Sequence, residues 1–207
     1  MLIIGLTGSI GMGKSTAAAR IRALGVGVLD ADAVVHKLYK ADGAAVAPVE
    51  AAFPGTSSAD GGVDRQKLAA ALLADSSGYK RLEAIVHPLV HAAQRNFLHE
   101  KVAKGKDKAV LEIPLLFETG GEKRVDVTIV VSAPADIQRQ RVLERPGMTL
   151  DKLEQILSRQ MPDEEKRRRA DFVVDTSRSI PETEAQIDRI IAQLEGRKGS
   201  AFATHWA

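Results

Sequence analysis

The residues best suited to chemistry lie at 8–16. Gly8-Ser9-Ile10-Gly11-Met12-Gly13-Lys14-Ser15 fits the spacing G-x-x-x-x-G-K-[ST], and Thr16 follows. Glycines let a loop take backbone angles denied to other residues and bring N–H groups close to an anion's oxygens. A helix opening at Lys14 directs its dipole and its first N–H groups at the same point. Lys14 adds a point charge suited to β- and γ-phosphates, and the Ser15 hydroxyl is the kind of oxygen ligand Mg²⁺ accepts. The plainer alternative is a chance glycine-rich turn. It loses to the context, a buried apolar run before the loop and a helical pattern after it. The candidate phosphate-binding set is Gly8, Gly11, Met12, Gly13, Lys14, Ser15 and Thr16.

Other polar residues fall where such a loop would use them. Asp30-Ala31-Asp32 closes a second apolar run. The carboxyl ends of parallel strands are where open α/β sheets bind ligands. A carboxylate there can take a proton from an attacking hydroxyl or hold Mg²⁺ through water. The competing reading is a helix N-cap, and the position beside the loop favours function. Glu112, in Val110-Leu111-Glu112-Ile113-Pro114, reads equally well as a metal-side carboxylate or a turn cap. Between Arg139 and Arg169 there are nine Lys/Arg against six Asp/Glu. Arg141 and Arg145 are four apart, which predicts a shared helix face and a lid role in neutralising charge on a transferred group. Glu164, Glu165, Arg168 and Arg169 read as i,i+4 pairs on a solvated helix. His87-Pro88 sits between two helical segments and reads as structural on sequence alone.

These groups need elements to hold them. Leu2–Thr7, Val26–Leu29, Ala109–Ile113, Val125–Val131 and Phe172–Val174 are predicted strands, apolar without alternation, as in a parallel sheet buried on both faces. Helices are predicted at 14–24, 135–144 and 150–160. A last one follows the capping-box spacing of Ser179-Ile180-Pro181-Glu182 and is stopped by Gly196. Strands alternating with helices give an α/β fold, a three-layer parallel sheet of phosphate-loop type. Residues 34–108 hold helical patterns at 65–73, 79–86 and 89–102 broken by Phe53-Pro54-Gly55 and Gly61-Gly62, too much for one crossover. The expected organisation is a nucleotide core of residues 1–33 and 109–196 with a helical lid at about 136–160. Residues 34–108 form a helical substrate-binding insertion, and residues 197–207 a flexible tail. The Ala-rich stretch 44–52 reads as compositional bias only.

Composition narrows the class. The chain has 207 residues, a net charge of +2 and no cysteine. The charge is too small for a general nucleic-acid or membrane binder. Absent cysteine excludes disulfides, thiolate metal sites and a cysteine nucleophile. No apolar run reaches the ~20 residues that cross a bilayer, and the N-terminus lacks a signal-peptide pattern, so a soluble cytoplasmic protein is expected. A GTPase would need an Asn-Lys-x-Asp guanine reader, but the only Asn, Asn96, precedes Phe97. Asp75-Ser76-Ser77-Gly78 matches D-x-x-G by letter and is discounted because it lies in the helical insertion. A motor or assembly subunit would be larger. The residues alone therefore read as an ATP-dependent kinase of a small hydroxyl or phosphate acceptor.

The whole chain from Leu2 to about Leu194 resembles the dephospho-coenzyme A kinase family. The resemblance rests on Thr7–Thr16, Leu29-Asp30-Ala31-Asp32, His87-Pro88, Pro114-Leu115-Leu116-Phe117-Glu118, and Gln138, Arg141 and Arg145 at the lid. Residues 155–160 and Ala170-Asp171 complete the pattern. The phosphate loop is common to many families, whereas its combination with His-Pro and Pro-Leu-Leu-Phe-Glu is selective. The resemblance implies phosphoryl transfer from ATP, with Mg²⁺, to the ribose 3′-hydroxyl of dephospho-coenzyme A. It implies Asp32 as general base or orienting carboxylate, and Lys14, Arg141 and Arg145 on the transferring phosphate. Asp32, His36, His87, Leu115, Leu116, Phe117 and Glu118 would meet the substrate, and Ser15, with Asp30 and Glu112 through water, the metal. His36 stands where relatives often carry Arg, and Asp175-Thr176 where they often carry Asp-Asn. The alternative acceptor is another nucleoside, nucleotide or small hydroxyl compound. The partners expected are ATP and dephospho-coenzyme A, with no nucleic acid or membrane, for a monomer or small homo-oligomer.

Overall fold

The strand β1 (Leu2–Thr7) is buried along its whole length and stands in the middle of a five-stranded sheet of order β2 (Gly27–Asp30), β3 (Lys108–Glu112), β1, β4 (Val127–Ser132), β5 (Phe172–Asp175). The computed structural model describes residues 1–75 and 77–207. In chain order, α1 (Lys14–Ala23) follows β1, and β2 (Gly27–Asp30) leads to α2 (Ala31–Leu38), α3 (Val46–Ala52), α4 (Arg65–Ala74) and α5 (Gly78–Ala103). Then come β3 (Lys108–Glu112), β4 (Val127–Ser132), α6 (Ala135–Leu143), α7 (Leu150–Leu157), α8 (Asp163–Arg169), β5 (Phe172–Asp175) and α9 (Ile180–Gln193). Pairing is parallel, with Leu2 opposite Lys108 and Ile4 opposite Val127. Helices lie on both faces, as the non-alternating strands predict. Ile4, Leu6, Ile129 and Val131 share one core cluster with Ile21 of α1 and Ile187 and Ile191 of α9. The α9 capping box is present, Ser179 and Glu182 each bonding the other's backbone N–H.

The chain falls into two units, Met1–Leu29 with Leu98–Ala207, and Asp30–Phe97. Whereas the insertion expected from sequence spans 34–108, the second unit starts at Asp30 and ends within α5. Its own core is Ala45, Val49, Phe53, Val63, Leu68 and Leu72. Glu50 ties the turn after α3, accepting from the Gly55 N–H at 2.7 Å and the Ser57 hydroxyl at 2.8 Å. Asp64 caps α4 by accepting the Gln66 and Lys67 N–H groups.

Several expectations are corrected. The Ala-rich stretch is not mere bias, because it folds as α3 around the buried Val49. Helix α2 lies where the favoured reading placed none, and α8 lies where Glu164 to Arg169 were read as a solvated helix. His87-Pro88 does not separate two helices, because α5 runs as one 26-residue helix through Pro88. Proline deprives the carbonyl four residues back of its donor. That carbonyl belongs to Ala84, an exposed residue, where water can replace the bond. The discounted Asp75-Ser76-Ser77-Gly78 pattern includes Ser76, outside the described residues; Asp75 accepts the Ser77 N–H and hydroxyl. The tail, expected to fray, packs against the protein. Phe202–Trp206 forms a π-helical turn with Trp206 only 3% exposed. The Trp206 indole N–H donates to the Arg124 carbonyl at 2.9 Å, and His99 Nε2 lies 2.7 Å from the Trp206 carbonyl oxygen. Asp126 accepts the N–H of Ile3 with one oxygen and those of Ser200 and Ala201 with the other. No helix among the described residues is long and apolar enough to cross a membrane.

Candidate functional site

The loop between β1 and α1 takes its shape from two glycines. Gly11 has φ +77° and Gly13 +85°, angles an L side chain adopts at a cost of ~1–2 kcal/mol. A Cβ on Gly11 would also stand 2.6 Å from Val142 Cγ2. Gly13 is the N-cap of α1 and offers no side chain to the helix end. The first N–H groups of α1 are thereby presented to an anion. Lys14 Nζ donates to the Gly8 carbonyl at 2.6 Å, which folds the ammonium back over the loop. Ser15 is exposed on the first turn of α1, and Thr16 is half-buried beside it.

The side chains around the loop are engaged with its backbone. Met12 is 2% exposed, and its sulfur accepts the Ala133 N–H at 3.1 Å. Its N–H goes to the Ser9 carbonyl. The Met12 side chain is thus a bolt between the loop and the end of β4. Ile10 is held twice: its N–H donates to Gln160 Oε1 at 3.2 Å and its carbonyl accepts from Gln138 Nε2 at 2.8 Å. The Thr176 hydroxyl meets the Met12 carbonyl at 3.0 Å. Arg141 reaches the same threonine, with Nη1 3.1 Å from its Oγ1 and Nη2 2.6 Å from its carbonyl. Arg145 does not share the α6 face with Arg141, because α6 ends at Leu143 and Arg145 lies exposed in the following turn.

The acidic and apolar candidates separate. Glu112 is 6% exposed, with Oε2 3.8 Å from Arg22 Nη2. In Leu115-Leu116-Phe117-Glu118 only Leu115 presents a side chain, 38% exposed. Leu116 is fully buried, and its Cδ2 would lie 2.8 Å from a Cβ at Gly5. Phe117 is 5% exposed and carries the Arg169 guanidinium 5.0 Å from its ring centroid. Glu118 accepts the Met161 N–H at 2.7 Å, and the same oxygen lies 2.9 Å from Lys166 Nζ. The expectation that Leu116, Phe117 and Glu118 meet substrate is therefore corrected: they brace the fold. Arg169 pairs with Glu122 and Arg168 with Glu165, instead of the predicted i,i+4 partners.

The remaining candidates lie in the unit Asp30–Phe97. Asp30 is the N-cap of α2, its Oδ1 accepting the Asp32 N–H at 2.8 Å and the Ala33 N–H at 3.1 Å. Asp32 is exposed in the first turn of that helix and His36 is exposed near its end. His87 is exposed on α5. Asp32 is thus on a helix, and the turn at Ala31 separates it from Asp30.

A cleft of about 520 Å³ opens beside the loop, lined by Met12, Pro134, Gln138, Asp163, Arg167 and Asp175 among others. The Ser177 hydroxyl, then the Ser177 N–H, hold the Asp175 carboxyl below the usual carboxylate range. Among the described residues no group of three or more His, Cys, Asp or Glu is placed to hold a metal ion. The exposed Ser15 hydroxyl is an oxygen donor of the kind Mg²⁺ accepts. Lys166 was given no role from the sequence, and Gln138, Gln160 and Thr176 entered only through the family resemblance, none of them as a contact to the loop backbone. For the glutamines the available signal was their spacing at either end of the predicted lid.

The family model described as dephospho-CoA kinase matches residues 2–182. A dephospho-CoA kinase of Mesorhizobium japonicum is 56% identical over 200 residues, covering 97% of this chain and 100% of that protein. One from Rhizobium etli is 57% identical over 197 residues, covering 95% and 96%. A crystal structure of a Thermus thermophilus protein, 38% identical, superposes with a TM-score of 0.79 over 94% of this chain and 98% of the other. The dephospho-CoA kinase structure from Campylobacter jejuni, at 24% identity and a TM-score of 0.69 over 93% and 96%, shares the fold. With a glycine-shaped phosphate loop at the centre of a parallel sheet and matches of this extent, the chain belongs to the dephospho-CoA kinase family.

Proposed function

We propose that this protein transfers the γ-phosphoryl group of ATP to the ribose 3′-hydroxyl of dephospho-coenzyme A, yielding coenzyme A and ADP. The observation that carries the reading is the Gly11–Gly13 loop opening onto the uncapped N-terminus of α1 with Lys14 folded over it. The relatives' name supplies the acceptor. The loop amides and Lys14 hold the β- and γ-phosphates, and Arg141 and Arg145 neutralise charge on the transferring group. The acceptor oxygen forms a bond to Pγ as the Pγ–O bond to ADP breaks, and Asp32 takes the hydroxyl proton. Bound Mg²⁺ supplies neutralisation of the phosphate oxygens, with Ser15 as its protein ligand. Asp30 supports Asp32 as the cap of α2, and Asp30 and Glu112 would hold the metal through water. His36, His87 and the exposed Leu115 are the substrate contacts. The enzyme works in the cytoplasm as a monomer or small homo-oligomer, without nucleic acid or membrane.

A coupled ADP-release assay offering dephospho-coenzyme A, adenosine, AMP and shikimate tests the acceptor. Turnover with dephospho-coenzyme A should dominate, and preference for any other acceptor overturns the assignment. Asp32→Asn should keep ATP binding and lose ~10²–10⁴ in kcat. Asp30→Asn should lose much less, because asparagine caps a helix about as well as aspartate. The reverse ranking would exchange the two roles.

A further inference from the structure

We infer that Gln138 and Gln160 are positioning residues for phosphoryl transfer: from the two ends of the α6–α7 segment they grip both backbone polar groups of Ile10 and fix the phosphate loop. The inference rests on the kinase reading of that loop. Its physical basis is the planar trans peptide, in which C=O and N–H point to opposite sides. Gln138 Nε2 pins the Ile10 carbonyl at 2.8 Å. The N–H of the same peptide unit, that of Gly11, is therefore aimed the other way, away from the α6 side chain. Gln160 Oε1 accepts the Ile10 N–H at 3.2 Å, which turns the Ser9 carbonyl to the opposite side, where it receives the Met12 N–H at 3.2 Å. Two consecutive peptide planes are set in this way. Neither is stiff by itself, because the second ends at Gly11, whose positive φ and missing Cβ make a peptide flip easy.

Both glutamines are themselves fixed. Gln138 is 5% exposed on α6. Gln160 donates its N–H to the Leu157 carbonyl, and the next N–H, that of Met161, is held by Glu118. Glu118 in turn lies 2.9 Å from the fully buried Lys166. The Leu116-Phe117-Glu118 segment thus anchors the far end of α6–α7 through a chain that ends on the loop. Movement of α6–α7 and the direction of the loop amides are then one coupled variable.

The test compares wild type, Gln138→Leu, Gln160→Ala and the double variant. The dissociation constant for Mg²⁺-ATP is measured by calorimetry, steady-state kinetics give kcat and both KM values, and thermal unfolding checks the fold. Each single variant should weaken ATP binding and lower kcat/KM for ATP about three- to tenfold, the scale of one lost hydrogen bond. KM for dephospho-coenzyme A should change less than twofold. The double variant should lose less than the product of the singles, because both act on one pair of peptides. Wild-type ATP binding and kcat/KM in both single variants, whatever their melting temperatures, overturns the inference. So does independent, multiplicative loss in the double variant. The binding arm stands apart from the acceptor: a wild type that binds ATP without phosphorylating dephospho-coenzyme A sinks the functional reading and leaves the grip on Ile10 to be judged by the dissociation constants.

Discussion

Replacing Glu118 by glutamine should destabilise the protein far more than its size suggests, because the change falls on its partner. Lys166 is fully buried, and Glu118 is 15% exposed with one carboxylate oxygen 2.9 Å from the ammonium. The ammonium lies off the line of a well-formed hydrogen bond, so charge carries this contact. At that separation and an effective dielectric constant near 20, the attraction is ~6 kcal/mol. After local relaxation, breaking one side of such a buried pair usually costs about 3–5 kcal/mol, since the surviving charge stays out of water. Glutamine keeps the oxygen that accepts the Met161 N–H, so that bond should survive. Urea denaturation monitored by far-UV circular dichroism measures the loss. Glu118→Gln/Lys166→Met, which removes both charges, should recover most of it, and the cycle completed with Lys166→Met isolates the coupling. A loss below about 1 kcal/mol for Glu118→Gln would refute the reasoning, because a sequestered lysine should feel its carboxylate more strongly than a surface pair does.

Trp206→Ala should lower stability by up to about 3–5 kcal/mol, the range for emptying a buried aromatic site, while kcat/KM stays near wild type. A shift below about 1 kcal/mol in urea denaturation would return the tail to the frayed state its sequence suggests. Glu50 is held below the usual carboxylate range first by the Gly55 N–H and next by the Ser57 hydroxyl. A depressed folded-state value contributes stability above the unfolded pKa of ~4.3 that disappears as pH falls through the folded value. Glu50→Gln should therefore flatten the stability–pH curve on the acid side, and an unchanged acid limb would contradict the assignment.

The parts of the fold legible in sequence are those whose signals are local. Leu2–Thr7 is an unbroken apolar run that meets glycines, and Ser179 with Glu182 writes the start of α9 into four residues. Where the signal is remote, reading fails. Trp206 is fixed by a carbonyl at Arg124 and by the neighbourhood of Asp126, far away in sequence and invisible to any window. Lys166 stands in a run of basic residues, and only the inward turn of α8 distinguishes it from its exposed neighbours. Helix α3 has Val49 as its one buried residue, too little for a periodicity. At the site, spacing located the loop, Lys14 and the Asp30–Asp32 turn. It could not tell that Leu116 and Phe117 point into the protein, because an apolar residue in a selective motif reads alike as pocket or as core.

The position of β1 in the sheet has a consequence for how the chain is made. Its neighbours pair at Leu2 with Lys108 and at Ile4 with Val127, so the central strand is synthesised more than a hundred residues before either edge is covered. At ribosomal speeds of about 5–20 residues per second, the run from Leu2 to Thr7 waits roughly 5–25 s with both edges unpaired. During that interval the whole of Asp30–Phe97, with its own apolar cluster, leaves the ribosome and can fold. An exposed, charge-free, β-favouring segment is what holding chaperones bind and what nascent chains aggregate through. Expression should therefore be limited by the fate of the first strand during translation, and slower synthesis at low temperature should help only where a chaperone covers it.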